Sequence, residues 1–177
     1  MRRFLPVCIL FLSLCTISVN AKKKKSDKPN LVKMSTLFKN ASTAITKTPN
    51  TAAAAEKALL EALPREDVSQ KERAKIYYTA AKLQECQNGI ENRKAYLKTG
   101  YDTSKYFSPL LQMYQYLQKC DSIDATPDST GKVKIKYASK TRSLRKKHRS
   151  NILNGGKFFL SKKNYAPGMH GNNRRRK

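Results

Sequence analysis

The spacing of apolar residues predicts that the chain is all-α. From Met34 to Ile45 apolar residues recur every three or four positions, which places them on one face of a helix that ends before Pro49. These positions are Met34, Phe38, Ala41 and Ile45. The next segment, 52–63, consists almost entirely of strong helix formers and predicts a second helix. No segment alternates apolar and polar residues as a strand would, so no sheet is expected.

Two further helices are predicted from their end signals. Ser69 and Glu72 have the spacing of a capping box and open a helix that runs to about Gln87. Asn88-Gly89 is a typical helix stop, so the pattern predicts a turn there and a separate helix over 90–98. Together these helices form a predicted helix–turn–helix unit.

The most regular apolar stripe lies between Asp102 and Cys120. Its members are Tyr106, Leu110, Met113, Leu117 and Cys120, and Phe107, Leu111 and Tyr114 widen it. Such a stripe is typical of a helix face packed in a core. Pro109 marks either the first turn of this helix or a kink within it.

The C-terminal third is strongly basic. Nine lysines and arginines lie within 132–149, which predicts a mostly solvated helix from about Lys136. A separate helix is predicted over 151–165, and the Gly-, Asn- and Arg-rich residues 166–177 predict a disordered basic tail. The predicted organisation is therefore a helical repeat region over 30–124, a polar linker over 125–135, and a basic helix followed by half a repeat over 136–165.

The first 21 residues have the pattern of a secretory signal peptide. Arg2 and Arg3 precede an apolar run over 4–14, and Val19-Asn20-Ala21 fits a cleavage site. An uncleaved anchor fits less well because the run is about half of the roughly 20 residues that span a bilayer. A lipoprotein fits less well because leucine or valine precedes each cysteine in this stretch. We therefore expect an exported protein, periplasmic or associated with the outer membrane, with a charged linker over 22–29.

Charge and location together limit the expected partners. The formal net charge is +25, with 37 Lys and Arg against 12 Asp and Glu, which favours binding to polyanions. Export makes nucleic acid an unlikely partner and leaves an anionic membrane surface or lipopolysaccharide. The candidate polyanion contacts are Lys140, Arg142, Arg145, Lys146, Lys147 and Arg149, although a solvated helix face explains the same pattern.

The chain carries little catalytic or metal-binding material. The two histidines, His148 and His170, have no partner at metal-ligand spacing, and no nucleophile motif or phosphate-binding loop is present. We therefore expect no enzyme activity, no catalytic residue, no metal and no cofactor. Cleavage of the signal peptide leaves Cys86 and Cys120, which either form one disulfide in an oxidising compartment or remain separate buried thiols.

Residues 151–165 resemble the opening of a tetratricopeptide repeat. Gly156, Phe159 and Tyr165 lie where that family, whose unit has about 34 residues, places a small residue and two aromatic residues. The second helix of such a unit is missing, because Ala166-Pro167-Gly168 leads into the basic tail. The chain thus resembles an exported bacterial tetratricopeptide-repeat (TPR-like) protein that is shortened at its C-terminus. This resemblance implies helical hairpins stacked into a short α-solenoid.

The resemblance implies a non-catalytic scaffold that binds a protein or peptide of the cell envelope. Tyr77, Tyr78, Tyr96 and Tyr114 are the candidate partner-binding residues, although each also fits a core position. The alternative function is that of a cationic envelope protein that binds anionic lipid, lipopolysaccharide or other polyanions.

Overall fold

The computed structural model describes residues 31–127 and 130–162. The predicted signal peptide, charged linker and basic tail, and Tyr165, lie outside these residues. The chain divides into two units, 1–31 and 32–177, and Leu31 is the only described residue of the first. The described part of the second unit contains five α-helices and no strand, which confirms the all-α prediction. They are α1 (Met34–Thr46), α2 (Ala52–Glu61), α3 (Gln70–Tyr96), α4 (Thr103–Asp124) and α5 (Ala138–Ser161).

Helices α1 and α2 form a small hairpin that packs against α3. A one-turn 3₁₀ helix, Pro49–Thr51, leads directly into α2. The buried face of α1 comprises Met34, Leu37, Ala41 and Ala44, whereas Phe38 and Ile45 are only half-buried. The stripe predicted from the sequence is therefore slightly rotated, because Leu37 and Ala44 take the buried positions predicted for Phe38 and Ile45. Leu59 of α2 and Ile76 and Leu83 of α3 complete this first core.

Helix α3 is one continuous helix of 27 residues, so the predicted stop at Asn88-Gly89 is wrong. The capping box at its start is formed: the Ser69 hydroxyl accepts from the Glu72 amide, and the Glu72 carboxylate accepts from the Ser69 amide. Asn88 is buried and its side-chain amide donates to the Tyr106 carbonyl at 2.7 Å, which holds α3 against α4. The chain turns only after Tyr96, where Lys98 and Gly100 have φ of 54° and 74°.

Helix α4 begins at Thr103, with the Asp102 carboxylate accepting hydrogen bonds from the amides of Ser104 and Lys105. Pro109 therefore lies inside the helix and not in its first turn. Within the apolar stripe, four of the five predicted residues are fully buried, and Tyr106 is half-buried. The buried four are Leu110, Met113, Leu117 and Cys120. Ala80 and Ala81 of α3 face this stripe and form a second core with it.

Helix α5 joins the two C-terminal helices predicted from the sequence into one helix of 24 residues. It packs on α4, with Thr141, Leu144 and Gly155 buried. A Cβ at Gly155 would lie 3.1 Å from the Phe107 ring, and Phe158 stacks on that ring at 5.5 Å. The close helix–helix approach is therefore at Gly155, whereas Gly156, the glycine chosen from the resemblance, faces open space.

Two carboxylates tie the basic helix α5 to the bundle. Glu85 of α3 accepts hydrogen bonds from Lys147 at 2.8 Å and from His148 at 2.9 Å, and it also pairs with Lys82 of its own helix. Asp121 of α4 accepts from Arg145 at 2.5 Å and from the Thr141 hydroxyl at 2.7 Å. These cross-helix contacts bring the Arg145, Lys147, His148 and Thr141 side chains of α5 to acidic residues of α3 and α4.

The environment of Glu85 strongly favours its ionised form. Burial alone raises the pKa of this carboxyl, but the hydrogen bonds from Lys147, Lys82 and His148 outweigh burial and lower the pKa from 4.5 to about 2. Since the folded-state pKa lies below the ordinary value, the stabilisation is complete above about pH 4.5 and is lost as the pH falls towards 2.

Substitutions at three glycines should separate helix propensity from helix packing. Gly89→Ala and Gly156→Ala add a methyl group in open space within a helix, so each should raise the melting temperature by about 2–4 °C. Gly155→Ala places its methyl group 3.2 Å from Phe107 Cβ, which should cancel this gain or lower the melting temperature. Calorimetry of the three variants checks this; an equal gain at Gly155 would contradict the close packing of α5 on α4.

Glu85→Gln should destabilise the protein in a pH-dependent way. At pH 7 we expect a loss of about 1–2 kcal/mol, because the hydrogen bonds to a charged group are weakened. The difference from the wild type should shrink between about pH 4.5 and pH 2, as the wild-type carboxyl becomes protonated. Urea denaturation across this range measures it. Glu61→Gln is the control, since Glu61 is 66% exposed and its pairing with Lys57 should contribute little; a pH-independent loss at Glu85 would exclude the ionic anchor.

Candidate binding groove

A groove of about 890 Å³ lies between α2 and α4. Both helices pack on α3, so α3 forms the floor and the two others form the walls. Gln84, Gln87, Ile90 and Glu91 line the floor. Pro49, Asn50, Ala53 and Glu56 line one wall, and Phe159 of α5 reaches the lining as well.

A buried carboxylate, that of Glu56, belongs to the lining of the groove. Glu56 is 8% exposed and accepts hydrogen bonds from the Gln84 and Gln87 side-chain amides at 2.6 and 2.9 Å and from the Tyr116 hydroxyl at 2.8 Å. Burial and the neighbouring Glu56 raise the pKa of Tyr116, so its hydroxyl remains a donor. Within the described residues, Glu56 forms no ion pair. Three neutral donors, two from α3 and one from α4, therefore hold this carboxylate of α2 in place.

The α4 wall presents a row of polar side chains. Ser104, Ser108, Gln112 and Gln115 follow one another at helical spacing along the groove. Pro109 lies beside this row and has no N–H, so the Lys105 carbonyl lacks its usual partner four residues on. The wall thus combines hydroxyl and amide groups with a backbone carbonyl that lacks its helical hydrogen bond. Amide side chains both donate and accept hydrogen bonds, which suits them to contact a peptide backbone.

None of the four tyrosines predicted to bind a partner lines this groove. Tyr77 packs against Tyr116 with ring centroids 6.2 Å apart, and Tyr78 packs against Tyr137 at 5.1 Å. The Tyr114 ring lies 5.8 Å from the Arg145 guanidinium, on the α5 side of α4. Tyr96 is 86% exposed at the end of α3. The first three rings are part of the packing between helices, which is the other role that their spacing allowed.

The predicted polyanion contacts divide into two groups. Arg145 and Lys147 pair with acidic residues, although the Lys147 side chain is still 67% exposed. Lys140 Nζ lies over the Tyr137 ring, 5.8 Å from its centre. Arg142, Lys146 and Arg149 are exposed on the outer side of α5. The last three and Lys140 are exposed and form no ion pair with a carboxylate of the described residues, so they remain the candidate contacts.

Cys86 and Cys120 are free thiols in the structure. Cys86 packs with the first core, near the Ala44 carbonyl, whereas Cys120 packs with Ala74 and Tyr137. Along α3, Ala74 lies twelve residues from Cys86, or about 18 Å, and a disulfide requires Cα atoms within about 7 Å. The possible disulfide is therefore not formed, and the alternative of separate buried thiols describes this structure. Burial raises the pKa of both thiols, to about 12 for Cys120.

The described residues contain neither a metal site nor a membrane span. No group of three His, Cys, Asp or Glu side chains there has an arrangement that could hold a metal ion. None of the helices α1–α5 is both long and apolar enough to cross a bilayer. No family model, curated protein or solved structure matches this chain.

The groove residues were not identified from the sequence. Glu56 is in a segment of Ala, Leu, Glu and Lys that predicts only a helix, and Gln84 and Gln87 resemble ordinary surface residues. The one available signal is the polar row on α4, which lies on the side of that helix opposite the apolar stripe. That row predicts a solvated side but gives no indication of which helix faces it.

Reductant should leave the melting temperature unchanged, within about 1 °C, when only Cys86 and Cys120 are present. The measurement uses the chain with Cys8→Ser and Cys15→Ser, purified without reductant. A disulfide between residues 86 and 120 would contribute about 3–4 kcal/mol, and its reduction would lower the melting temperature by roughly 10 °C. Such a drop would exclude the arrangement of free thiols.

Proposed function

We propose that the protein is a non-catalytic interaction module that holds a segment of a partner protein in the groove between α2 and α4. The observation that carries this proposal is the groove of about 890 Å³, whose walls combine apolar side chains with amides and hydroxyls. This size and this mixture are typical of binding sites. The described lining contains no histidine or cysteine. Its Tyr116 hydroxyl pairs with the Glu56 carboxylate, but both side chains are buried and the raised pKa of Tyr116 disfavours a phenolate nucleophile, which favours binding over chemistry.

The length of the groove supports an extended peptide as its ligand. Along α4 the lining runs from Ser104 to Tyr116, and twelve helical steps cover about 18 Å. An extended chain advances about 3.3–3.6 Å per residue, so the groove accommodates roughly five residues. The amide side chains of Gln112 and Gln115 can bond both the N–H and the C=O groups of such a segment.

The finer form of the proposal is a TPR-like scaffold of the bacterial cell envelope. The signal-peptide pattern of residues 1–21 supports export, and the resemblance of residues 151–165 to a tetratricopeptide repeat supports a protein-binding role. The repeat arrangement remains a prediction. A unit of about 34 residues holds two helices and a turn, whereas α3 alone has 27 residues. The groove proposal does not depend on that arrangement.

Blocking the groove should abolish partner binding. Ser108→Trp places a bulky side chain in the groove from an exposed position on the α4 wall. Gln118→Trp adds the same side chain to α4 outside the groove lining. Each protein is used to capture partners from periplasmic and cytosolic extracts separately, with washes at low and at high salt. We expect a discrete periplasmic protein that survives 0.5 M salt, is retained by Gln118→Trp and is lost at least tenfold with Ser108→Trp.

Three results would contradict the proposal. Equal retention by both tryptophan variants would show that the groove is not the binding site. Capture only from the cytosolic extract would contradict the envelope location. Capture that disappears at high salt would indicate charge-driven binding, because screening lengths fall to a few ångströms under those conditions.

A further inference from the structure

The outer face of α5 carries a stripe of cations and leucines that the groove does not use. Its members are Arg142, Lys146, Arg149, Leu153, Lys157 and Leu160, spaced by four, three, four, four and three residues. This spacing keeps them within one narrow sector of a helix. The buried residues Thr141, Leu144 and Gly155 lie on roughly the opposite side, where α5 packs on α4. We call these six residues the α5 stripe.

The charge of the α5 stripe is not neutralised by the bundle. From Thr130 to Lys162 the sequence contains eleven lysines and arginines and no acidic residue. The carboxylates of α3 and α4 that reach this helix pair with Arg145, Lys147 and His148, none of which belongs to the stripe. Among the described residues no acidic group forms an ion pair with the four cations of the stripe. They therefore face solvent as a linear array of positive charge.

The two leucines distinguish this array from an ordinary solvated face. Leu153 and Leu160 are 58% and 62% exposed and lie on the same side as the cations, two turns apart. A nucleic acid would neutralise the lysines and arginines but would leave the leucines without apolar contacts. The interface of an anionic bilayer offers both phosphates and an apolar layer at a depth of about 5–10 Å.

We propose that the α5 stripe docks the protein on an anionic lipid bilayer, with α5 parallel to the surface. Arg142, Lys146, Arg149 and Lys157 contact lipid phosphates, while Leu153 and Leu160 enter the boundary between headgroups and acyl chains. The stripe is about 27 Å long at 1.5 Å per residue, so several headgroups are contacted at once. Phe159, the one α5 residue in the groove lining, is not a member of the stripe, so docking leaves the proposed peptide site accessible.

Vesicle sedimentation of the full chain tests the electrostatic half of the proposal. The vesicles contain 30% phosphatidylglycerol in phosphatidylcholine, or phosphatidylcholine alone, at 0.1 M salt. Arg142→Gln, Lys146→Gln and Arg149→Gln are combined in one variant, and Lys39→Gln, Lys47→Gln and Lys71→Gln form a control of equal charge on α1, at its C-cap and on α3. We expect binding to anionic vesicles only, about 100-fold weaker for the stripe variant and reduced no more than about fivefold for the control.

The leucines are tested without changing the charge. Leu153→Asn with Leu160→Asn should weaken binding to anionic vesicles about tenfold and abolish the part that survives 0.5 M salt. The control is Leu97→Asn with Ile135→Asn, because those side chains are 59% and 61% exposed outside the stripe. The control variant should bind like the wild type. All variants keep residues 22–25 and 174–177, so differences between them report on α5 alone.

Several outcomes would overturn this proposal. Equal loss in the stripe and control charge variants would mean that net charge alone drives binding. Unchanged binding after removal of both leucines would show that α5 binds anions without entering the bilayer. Tighter binding to RNA than to vesicles would identify a nucleic-acid surface instead. Groove binding is measured separately by the tryptophan variants, so each proposal can fail without the other.

Discussion

The structure depends on one long helix, α3, that is buried on two faces. On one face Ile76 and Leu83 of α3 complete the core of α1 and α2, and on the other Ala80 and Ala81 face α4. Neither core is complete without α3, which both cores share. The small side chains on the α4 side allow a close approach, while the larger ones on the other side fill the space above the short hairpin. The groove exists for the same reason, because α2 and α4 flank α3 without covering its surface between Gln84 and Glu91.

Charge is the second constraint, since 37 basic residues face only 12 acidic ones. Self-repulsion on this scale opposes compaction. Two carboxylates are placed where they relieve it, since Glu85 and Asp121 lie at the contacts of α5 and pair with Lys147 and Arg145. The cations of the α5 stripe, which have no such partner among the described residues, lie on the outer side of that helix. The same arrangement that keeps the basic helix attached therefore leaves its outer side available to an anionic surface.

Local signals in the sequence predicted much of the fold. The capping box at Ser69 and the stripe ending at Cys120 depend on neighbours within a few residues, and each is present in the structure. The continuity of α3 could not be predicted, because the buried contact between Asn88 and the Tyr106 carbonyl overrides a local helix stop. A helix buried on two faces also shows little amphipathic pattern. The groove depends on residues from four helices, so no short window contained it.

Because both cores need α3, this helix also determines the order in which the chain can fold during synthesis. Residues 34–63 emerge first, but their core lacks Ile76 and Leu83 until most of α3 has followed. The α1–α2 hairpin is shorter than an independently stable domain, so it stays open through that interval. The proposed export would require the chain to cross a membrane in extended form. An N-terminal segment that cannot fold early would remain competent for that step.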